Sequence, residues 1–197
     1  WVGNDLSQVK ILDIGCGDGR FLRRLVEWGA SPFNCVGCDL LPDRIERARM
    51  LSPAGIEYFV GSEPPSELGH FKTGFDLITL NLVLSSVVDD SRRHDVANGA
   101  QGLVKEGGLL CIFDFAYDNP QNPDVRGVKR RELSELFHNL DFLIFEKVVL
   151  APPISRRLTR LSLTLARLVS TLLPIVRTHF YAVFQVPSFE RKHQQSE

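Results

Sequence analysis

Three glycines at alternate positions near the start of the chain constrain the fold more than any other feature. A short apolar run, Ile11–Ile14, comes first, and the glycines follow it as Gly15, Gly17 and Gly19. Apolar residues then recur at helical spacing. This order predicts a strand, a tight turn and a helix, which is the opening of a nucleotide-binding βα unit. Glycines allow positive φ and close approach to a ligand, and the helix that follows points free N–H groups at the same place.

The spacing of the glycines separates this turn from two common phosphate-binding turns. The dinucleotide-binding turn has the pattern G-x-G-x-x-G, and Arg20 stands where its third glycine would fall. A P-loop would need Gly-Lys-Ser/Thr, which is absent here. Asp13 stands two residues before the first glycine, where it would repel a phosphate. A carboxylate at this position suits a ligand that carries a cationic amine.

Residues 13–19, Asp-Ile-Gly-Cys-Gly-Asp-Gly, resemble motif I of the class I S-adenosylmethionine-dependent methyltransferases, an acid followed by x-G-x-G-x-G. The resemblance implies S-adenosylmethionine as the cofactor and methyl transfer as the reaction. It also implies a three-layer, Rossmann-like α/β fold with a seven-stranded, mostly parallel sheet and an antiparallel last strand. Within the motif it places five residues at the cofactor: Asp13, Gly15, Cys16, Gly17 and Gly19.

Further cofactor contacts are expected where the next strands end. Asp39 closes a predicted strand over 34–39, and an acid there typically accepts hydrogen bonds from ribose hydroxyls. In the family, a polar pair after the third strand contacts adenine, and the fourth strand, predicted over 75–81 and running on apolar to 88, ends beside the methionine part. The resemblance therefore adds these cofactor-binding candidates: Leu40, Ser62, Glu63, Asn81 and Leu82.

Catalytic groups are harder to assign. Many family members carry a histidine or an aromatic residue where this sequence has Ser85 and Ser86, so no obvious general base stands there. Ligands of open parallel sheets bind beyond the carboxyl ends of the strands. Asp114 and Tyr117, at the end of the predicted fifth strand, are therefore catalytic candidates by position only.

The cysteines predict no metal site. Cys35 and Cys38 form C-x-x-C, but no second pair completes a zinc site. Small buried thiols in a reducing compartment are the favoured interpretation, so we expect a cytoplasmic protein. The formal net charge of −1 gives no overall field that would draw nucleic acid.

At 197 residues the chain is predicted to form a single methyltransferase domain, with a lead-in over 1–9 and a flexible tail over 190–197. A helical insertion over 154–177 stands between the sixth and seventh strands, where the family usually has a short hairpin. Leucines line one face of the predicted helix over 154–173 and arginines another. Two interpretations stay open: the helix caps the sheet and the pocket mouth, or it makes a peripheral contact with an anionic membrane face.

The insertion and the sequence Asn-Pro-Asp-Val-Arg-Gly at 122–127 resemble type 11-like bacterial methyltransferases associated with surface polysaccharide or lipid-linked sugar assembly. This resemblance covers about 119–186 and implies a small-molecule, sugar or lipid-linked acceptor rather than nucleic acid. Two alternatives remain. An NAD(P)-dependent oxidoreductase is disfavoured by the glycine spacing and Asp13, and a non-catalytic methyltransferase-like subunit is disfavoured by the intact Asp13 and Asp39.

Overall fold

The computed structural model describes residues 5–66, 68, 71, 73–119, 122–150, 152–164 and 177–187. Seven strands occur in this part of the chain: β1 (Ile11–Ile14), β2 (Cys35–Asp39), β3 (Glu57–Val60), β4 (Phe75–Asn81), β5 (Val104–Phe115), β6 (Asp141–Leu150) and β7 (Arg177–Gln185). They form one sheet with the order β3-β2-β1-β4-β5-β7-β6. Every pair from β3 to β5 is parallel, whereas β7 runs antiparallel to both of its neighbours. The predicted fold is thereby confirmed.

The strand directions bring most strand ends to one side of the sheet. Because β7 is antiparallel to both β5 and β6, these two strands point the same way as β1 to β4. The carboxyl ends of β1 to β6 therefore lie along one side, which we call the carboxyl edge. Open α/β sheets bind their ligands at this edge.

Helices cover both faces of the sheet. The described helices are α1 (Arg20–Glu27), α2 (Pro42–Leu51), α3 (Asp90–Leu103), α4 (Arg130–Leu136) and α5 (Pro152–Leu161). One buried cluster joins α1 and α2 to one face of the sheet, and a second joins α3 and α4 to the other. Parallel strands buried on both faces need apolar side chains on both, which explains the short continuous apolar runs in the sequence.

The alternation along β5 shows how the two faces differ. Leu110, Ile112 and Asp114 are buried beneath α3 and α4, whereas Phe113 and Phe115 on the opposite face are only half-buried. Side chains alternate between faces with a period of two. An aromatic surface is therefore left partly open at the end of β5 nearest the carboxyl edge.

The predicted fourth strand over 75–81 is β4, but the apolar run over 82–88 does not extend it. The chain turns at Leu82 and forms a 3₁₀ turn over Leu84–Ser86. The paired glycines at 107 and 108 favour a turn from sequence, but residues 104–108 are the start of β5, which begins directly after α3. Apolar content alone does not distinguish a strand from a buried turn, and long-range hydrogen bonds decide these cases.

The described part of the predicted insertion between the sixth and seventh strands, residues 154–164, contains most of α5. The remainder of the insertion over 165–176, the tail over 190–197 and residues 1–4 of the lead-in lie outside the described residues. In the described parts of the chain, we find no helix with the length and apolar character needed to span a bilayer.

Candidate functional site

The glycine turn after β1 lies at the centre of the carboxyl edge and is tied to β2. Gly15, Gly17 and Gly19 have φ values of +70°, +55° and +74°. The backbone N–H groups of Gly15 and Cys16 both donate to the carbonyl of Cys38, at 2.8 and 3.0 Å. L side chains disfavour such φ values, so the turn needs glycine at all three positions.

The three glycines differ in what surrounds them. A Cβ atom at Gly15 would lie 2.5 Å from a methyl carbon of Val83. One at Gly19 would lie 2.2 Å from the hydroxyl of Tyr58, which packs beneath the turn. At Gly17 the nearest atom would be a guanidinium nitrogen of Arg44, at 3.4 Å. Gly17 therefore presents the open side of the turn, where a ligand can approach the backbone.

Asp39 holds the middle of this turn through its carboxylate. Its Oδ2 accepts the N–H of Gly17 at 2.9 Å, and its Oδ1 accepts the N–H of Leu41 at 3.0 Å. A carboxylate has about four lone-pair sites, so each oxygen keeps a site for a hydroxyl donor. This is the arrangement that recognition of a ribose requires.

Asp13 is a buried carboxylate with one oxygen committed and one free. Its Oδ1 accepts from the hydroxyl of Thr79 at 2.6 Å and from the amide of Asn81 at 3.1 Å. Within the described residues, no hydrogen bond reaches its Oδ2. Burial raises the pKa of Asp13 to about 7, although the two hydrogen bonds oppose that shift. A cationic ligand at Oδ2 would stabilise the ionised form.

Sequence reasoning missed Thr79, which makes the shorter of these two bonds. Thr79 lies directly opposite Asp13 in the parallel pairing of β1 with β4. Thr79 and Asn81 are polar residues two apart in an otherwise apolar strand, so they share one face. That alternation was a usable signal, but only the register shows that it meets Asp13.

The segment after β4 carries backbone strain next to the glycine turn. Leu82 is 40% exposed and has a φ of +60°. For a residue with a side chain this costs about 1 kcal/mol. Its N–H donates to the carbonyl of Phe113 at 2.8 Å, and its carbonyl accepts the hydroxyl of Ser86 at 2.9 Å. These bonds hold the turn that places Val83 against Gly15.

Asp114 stabilises the same segment from below. It is fully buried, with Oδ2 accepting the N–H of Ser85 at 3.1 Å and Oδ1 accepting the N–H of Phe115 at 2.7 Å. Burial raises the pKa of this carboxyl. The geometry gives Asp114 a structural role in shaping the site, and its assignment as a base stays a prediction that this burial disfavours.

Tyr117 lies on the surface at the carboxyl edge beside β6. The ammonium of Lys147 donates to its hydroxyl at 2.5 Å and lies 4.5 Å from the centre of its ring. Tyr117 is thereby held in place and its hydroxyl oxygen faces a cation. Its catalytic role stays a prediction.

The other cofactor candidates lie around the turn with different orientations. The thiol of Cys16 is buried in the cluster under α1, so only its backbone belongs to the turn. Leu40 is exposed directly after Asp39. The carbonyl of Ser62 accepts from the thiol of Cys38 at 3.5 Å. The carboxylate of Glu63 lies where a side chain at Gly99 of α3 would stand, so it points toward that helix.

A histidine that sequence reasoning missed lies at the end of the aromatic surface. His179, near the start of β7, is buried to 8% exposure and lies opposite Phe115 in the antiparallel pairing. Its ring centre is 4.2 Å from that of Phe115 and 5.1 Å from that of Phe113. Burial lowers the pKa of His179, although Asp114 opposes the shift. The expected antiparallel direction of the last strand places the start of β7 at this edge, but only the register shows that His179 meets Phe115.

A polar cleft of about 430 Å³ lies apart from these residues, between the start of α3, the loop after β5 and α4. Arg93 forms its floor and is 1% exposed. Its guanidinium donates to Glu132 at 2.5 Å and to the carbonyls of Val87 and Arg126 at 2.5 and 2.7 Å. These bonds fasten the segment after β4 to the loop after β5.

The described residues contain no cluster of histidine, cysteine and acidic side chains that could hold a metal ion. All four cysteines are free, and burial raises the pKa of the thiols of Cys16, Cys35, Cys38 and Cys111. Burial of this kind makes a thiol unreactive.

Comparison with known proteins gives one family and one fold. The methyltransferase domain family matches residues 11–108. A methyltransferase from Mesorhizobium loti has a TM-score of 0.62 and 18% identity, covering 92% of each chain. The N-methyltransferase NodS from Bradyrhizobium japonicum has a TM-score of 0.63 and 18% identity, covering 93% of this chain and 90% of that one. A methyltransferase from Archaeoglobus fulgidus has a TM-score of 0.64 and 15% identity, covering 93% of this chain and 89% of that one. No curated protein gave a significant match.

The residues at the carboxyl edge fit the S-adenosylmethionine that the family match indicates. The buried Oδ2 of Asp13 fits a cationic group, and the free lone pairs of Asp39 fit ribose hydroxyls. The open side of Gly17 leaves space for the ligand between them. Solved structures at this level of identity show the fold, while the family match covers every one of these residues.

Proposed function

We infer that this chain, an S-adenosylmethionine-dependent methyltransferase by its family match and its fold, methylates a small-molecule, sugar or lipid-linked acceptor. One observation supports this class of acceptor. Phe113 and Phe115 form a half-buried aromatic surface on the same face of the sheet as Asn81, which lies beside Phe113. An aromatic surface of this kind stacks on a sugar ring or packs against a lipid chain.

The resemblance of residues 119–186 to enzymes of polysaccharide and lipid-linked sugar assembly supports the same class of acceptor. A nucleic-acid acceptor is disfavoured because the net charge is −1 and aromatic and basic residues do not alternate as a stripe.

The reaction is an in-line displacement, for which the bound cofactor supplies a methyl group on a sulfonium. The residues of this chain contribute mainly by positioning, because alignment of two reactants supplies much of the rate. Asp13 would hold the amino group of the cofactor, and Asp39 would hold its ribose. The strained turn at Leu82 would fix the wall between the cofactor and the aromatic surface.

His179 is the group we assign as general base. Its Nδ1 lies 3.0 Å from the hydroxyl of Thr178, and no described hydrogen bond reaches its Nε2. Because burial lowers its pKa, the imidazole is neutral near pH 7 and can accept a proton. An acceptor hydroxyl held against Phe115 would lose its proton to Nε2 as the methyl group is transferred. An acceptor ammonium would lose its proton to Nε2 first, which frees the nitrogen lone pair that then attacks the methyl group.

A methyl-transfer screen tests this proposal. Labelled S-adenosylmethionine is incubated with the protein and with polar and lipid fractions of a cell extract, and the label is followed into small molecules, lipids, protein and nucleic acid. We expect label in the sugar or lipid fraction. Label in protein or nucleic acid alone would overturn the acceptor class. Failure to bind S-adenosylmethionine by calorimetry would favour the non-catalytic subunit.

Once the acceptor fraction is known, His179→Asn tests the base. We expect methyl transfer to fall roughly 100-fold with cofactor affinity unchanged, since general-base catalysis contributes on that scale. The control is His138→Asn, because His138 is exposed and follows α4 on the opposite face of the sheet. Equal activity of His179→Asn and the wild type would exclude the histidine as base.

A further inference from the structure

Helix α5 starts at the carboxyl edge, on the side of the sheet farthest from β2 and β3. It follows β6, which is four strands from β1 in the sheet order. At the usual strand spacing this is about 19 Å across the sheet from the glycine turn. The helix therefore stands on the same edge as the cofactor site, beyond the aromatic surface.

The described side chains of α5 and of the residues just after it face solvent. Arg156, Arg157 and Arg160 are exposed, and no ion pair includes them among the described residues. Leu161 is 77% exposed and Leu163 is 68% exposed. These two leucines therefore do not cap the sheet or close the core. The side chains of the other leucines in the predicted stripe lie outside the described residues, so the capping interpretation stays open for them.

The stretch of sequence that contains this helix carries charge of one sign. The sequence has no aspartate or glutamate from Lys147 to Phe189, although the whole chain carries a net charge of −1. The basic residues in that stretch are Lys147, Arg156, Arg157, Arg160, Arg167 and Arg177. A stretch of sequence that carries basic residues and no acidic ones is complementary to an anionic partner.

The carboxyl edge near α5 also exposes apolar side chains. Val149, three residues before the helix, is 46% exposed and has a φ of +59°. Exposed apolar side chains therefore stand just before α5, at its end (Leu161) and just after it (Leu163). Exposed apolar residues next to arginines are typical of helices that lie in a lipid–water interface.

We propose that α5 docks this protein on an anionic lipid surface. The guanidinium groups of Arg156, Arg157 and Arg160 pair with lipid phosphates, and Leu161 and Leu163 enter the headgroup region. Docking in this way turns the carboxyl edge toward the lipid. The proposal concerns binding only and needs neither cofactor nor acceptor, so it stands or falls separately from the assignment of the acceptor.

The test is flotation of the whole protein with vesicles. Vesicles of mixed phosphatidylglycerol and phosphatidylcholine are compared with vesicles of phosphatidylcholine alone, at about 0.1 M and about 0.5 M salt. We expect the wild type to float with the anionic vesicles at low salt, less at high salt, and not with the neutral vesicles. A wild type that does not float, or floats equally with both kinds of vesicle, overturns the proposal.

Variants separate the helix from the rest of the surface. Arg156→Glu with Arg160→Glu, one turn apart on α5, should lower the partition coefficient at least tenfold. Arg47→Glu with Arg92→Glu makes the same change of charge at exposed sites on α2 and α3 and should float like the wild type. Equal losses in the two double variants would overturn the assignment to α5, because net charge alone would then explain binding.

The leucines are tested in the same way. Leu161→Asp with Leu163→Asp should lower the partition coefficient at least tenfold, whereas Leu161→Ala with Leu163→Ala should lower it less. All these side chains are exposed, so each variant should keep the melting temperature of the wild type. Undiminished flotation of the aspartate variant would show that the leucines do not enter the lipid and would overturn that part of the proposal. If free inorganic phosphate at the same concentration as the lipid phosphate abolished flotation, α5 would be a simple anion site and not a lipid-docking helix.

Discussion

The carboxylate of Asp39 and the backbone N–H of Gly17 are joined by a hydrogen bond of 2.9 Å. This bond ties the end of β2 to the middle of the glycine turn, and the other oxygen of Asp39 binds the start of the next connection at Leu41. One side chain therefore shapes the turn, and in the proposed site it would also bind the ribose. A substitution here should weaken cofactor binding both by removing that contact and by loosening the turn.

We expect Asp39→Ala to weaken S-adenosylmethionine binding by roughly 1.5–3 kcal/mol, the scale of a hydrogen bond to a charged group. Calorimetric titration measures this directly. Asp43→Ala, in an exposed acid in the first turn of α2, is the matched control and should bind like the wild type. An unchanged dissociation constant for Asp39→Ala would show that Asp39 does not contact the cofactor.

Gly17 and Gly19 should respond differently to the same substitution. In Gly17→Ala the new Cβ meets only the end of the Arg44 side chain, so we expect a loss of about 1 kcal/mol of stability from the positive φ. Cofactor affinity should fall at least tenfold, because the methyl group occupies the open side of the turn. Gly19→Ala places its Cβ against Tyr58 and should cost clearly more stability.

Urea denaturation and calorimetric titration of both glycine variants check this contrast. If Gly17→Ala bound the cofactor like the wild type, the open side of the turn would not be where the cofactor lies. If Gly19→Ala were as stable as Gly17→Ala, Tyr58 would have to move without cost.

Much of the fold could be predicted because its signals are local. The apolar runs, the turn glycines and the alternating helices indicated six strands in the right order. The antiparallel direction of the seventh strand came from the family resemblance and not from the residues. Residues 13–19 carried the cofactor assignment because the turn needs glycine and an acid at fixed spacing, which one stretch of sequence can show.

The rest could not be predicted because it depends on residues far apart in the chain. The segment after Leu82 is held in place by Asp114, 29 residues after Ser85, which accepts the N–H of that serine. The bond between Arg93 and the carbonyl of Arg126 spans 33 residues. His179 meets Phe115 only through the pairing of β7 with β5. Local patterns contain none of these pairings, because each joins residues that only the folded chain brings together.

Arg93 should be the most costly polar residue to replace in the described structure. It is 1% exposed, and its guanidinium binds Glu132 and two backbone carbonyls. Arg93→Met would leave Glu132 without this partner and should lower the free energy of unfolding by about 3 kcal/mol. Urea denaturation measures it, with Arg92→Met at the exposed neighbouring position as control. If Arg93→Met lowered the free energy of unfolding no more than the control, the hydrogen bonds of Arg93 would not stabilise the fold.

Asp13→Asn should change the pH dependence of the free energy of unfolding and of cofactor affinity in different ways. The pKa of Asp13 is raised to about 7 by burial, so between about pH 4 and 7 the folded state holds a proton that the unfolded state has lost. The wild type therefore loses stability as pH rises through this window, by an amount of roughly 3–4 kcal/mol. Asparagine does not titrate, and its oxygen can accept the bonds of Thr79 and Asn81.

The free energy of unfolding of Asp13→Asn, relative to the wild type, should therefore rise between about pH 5 and pH 7.5. Cofactor affinity should depend on pH in the opposite direction to the stability of the wild type. In the wild type it should increase as pH rises toward 7.5, because the ionised carboxylate binds the cationic amine, and in Asp13→Asn it should be weak and nearly independent of pH. Denaturation and titration at each pH measure both quantities, with Asp43→Asn as control. A wild type whose affinity falls as pH rises would show that Asp13 does not bind the amine.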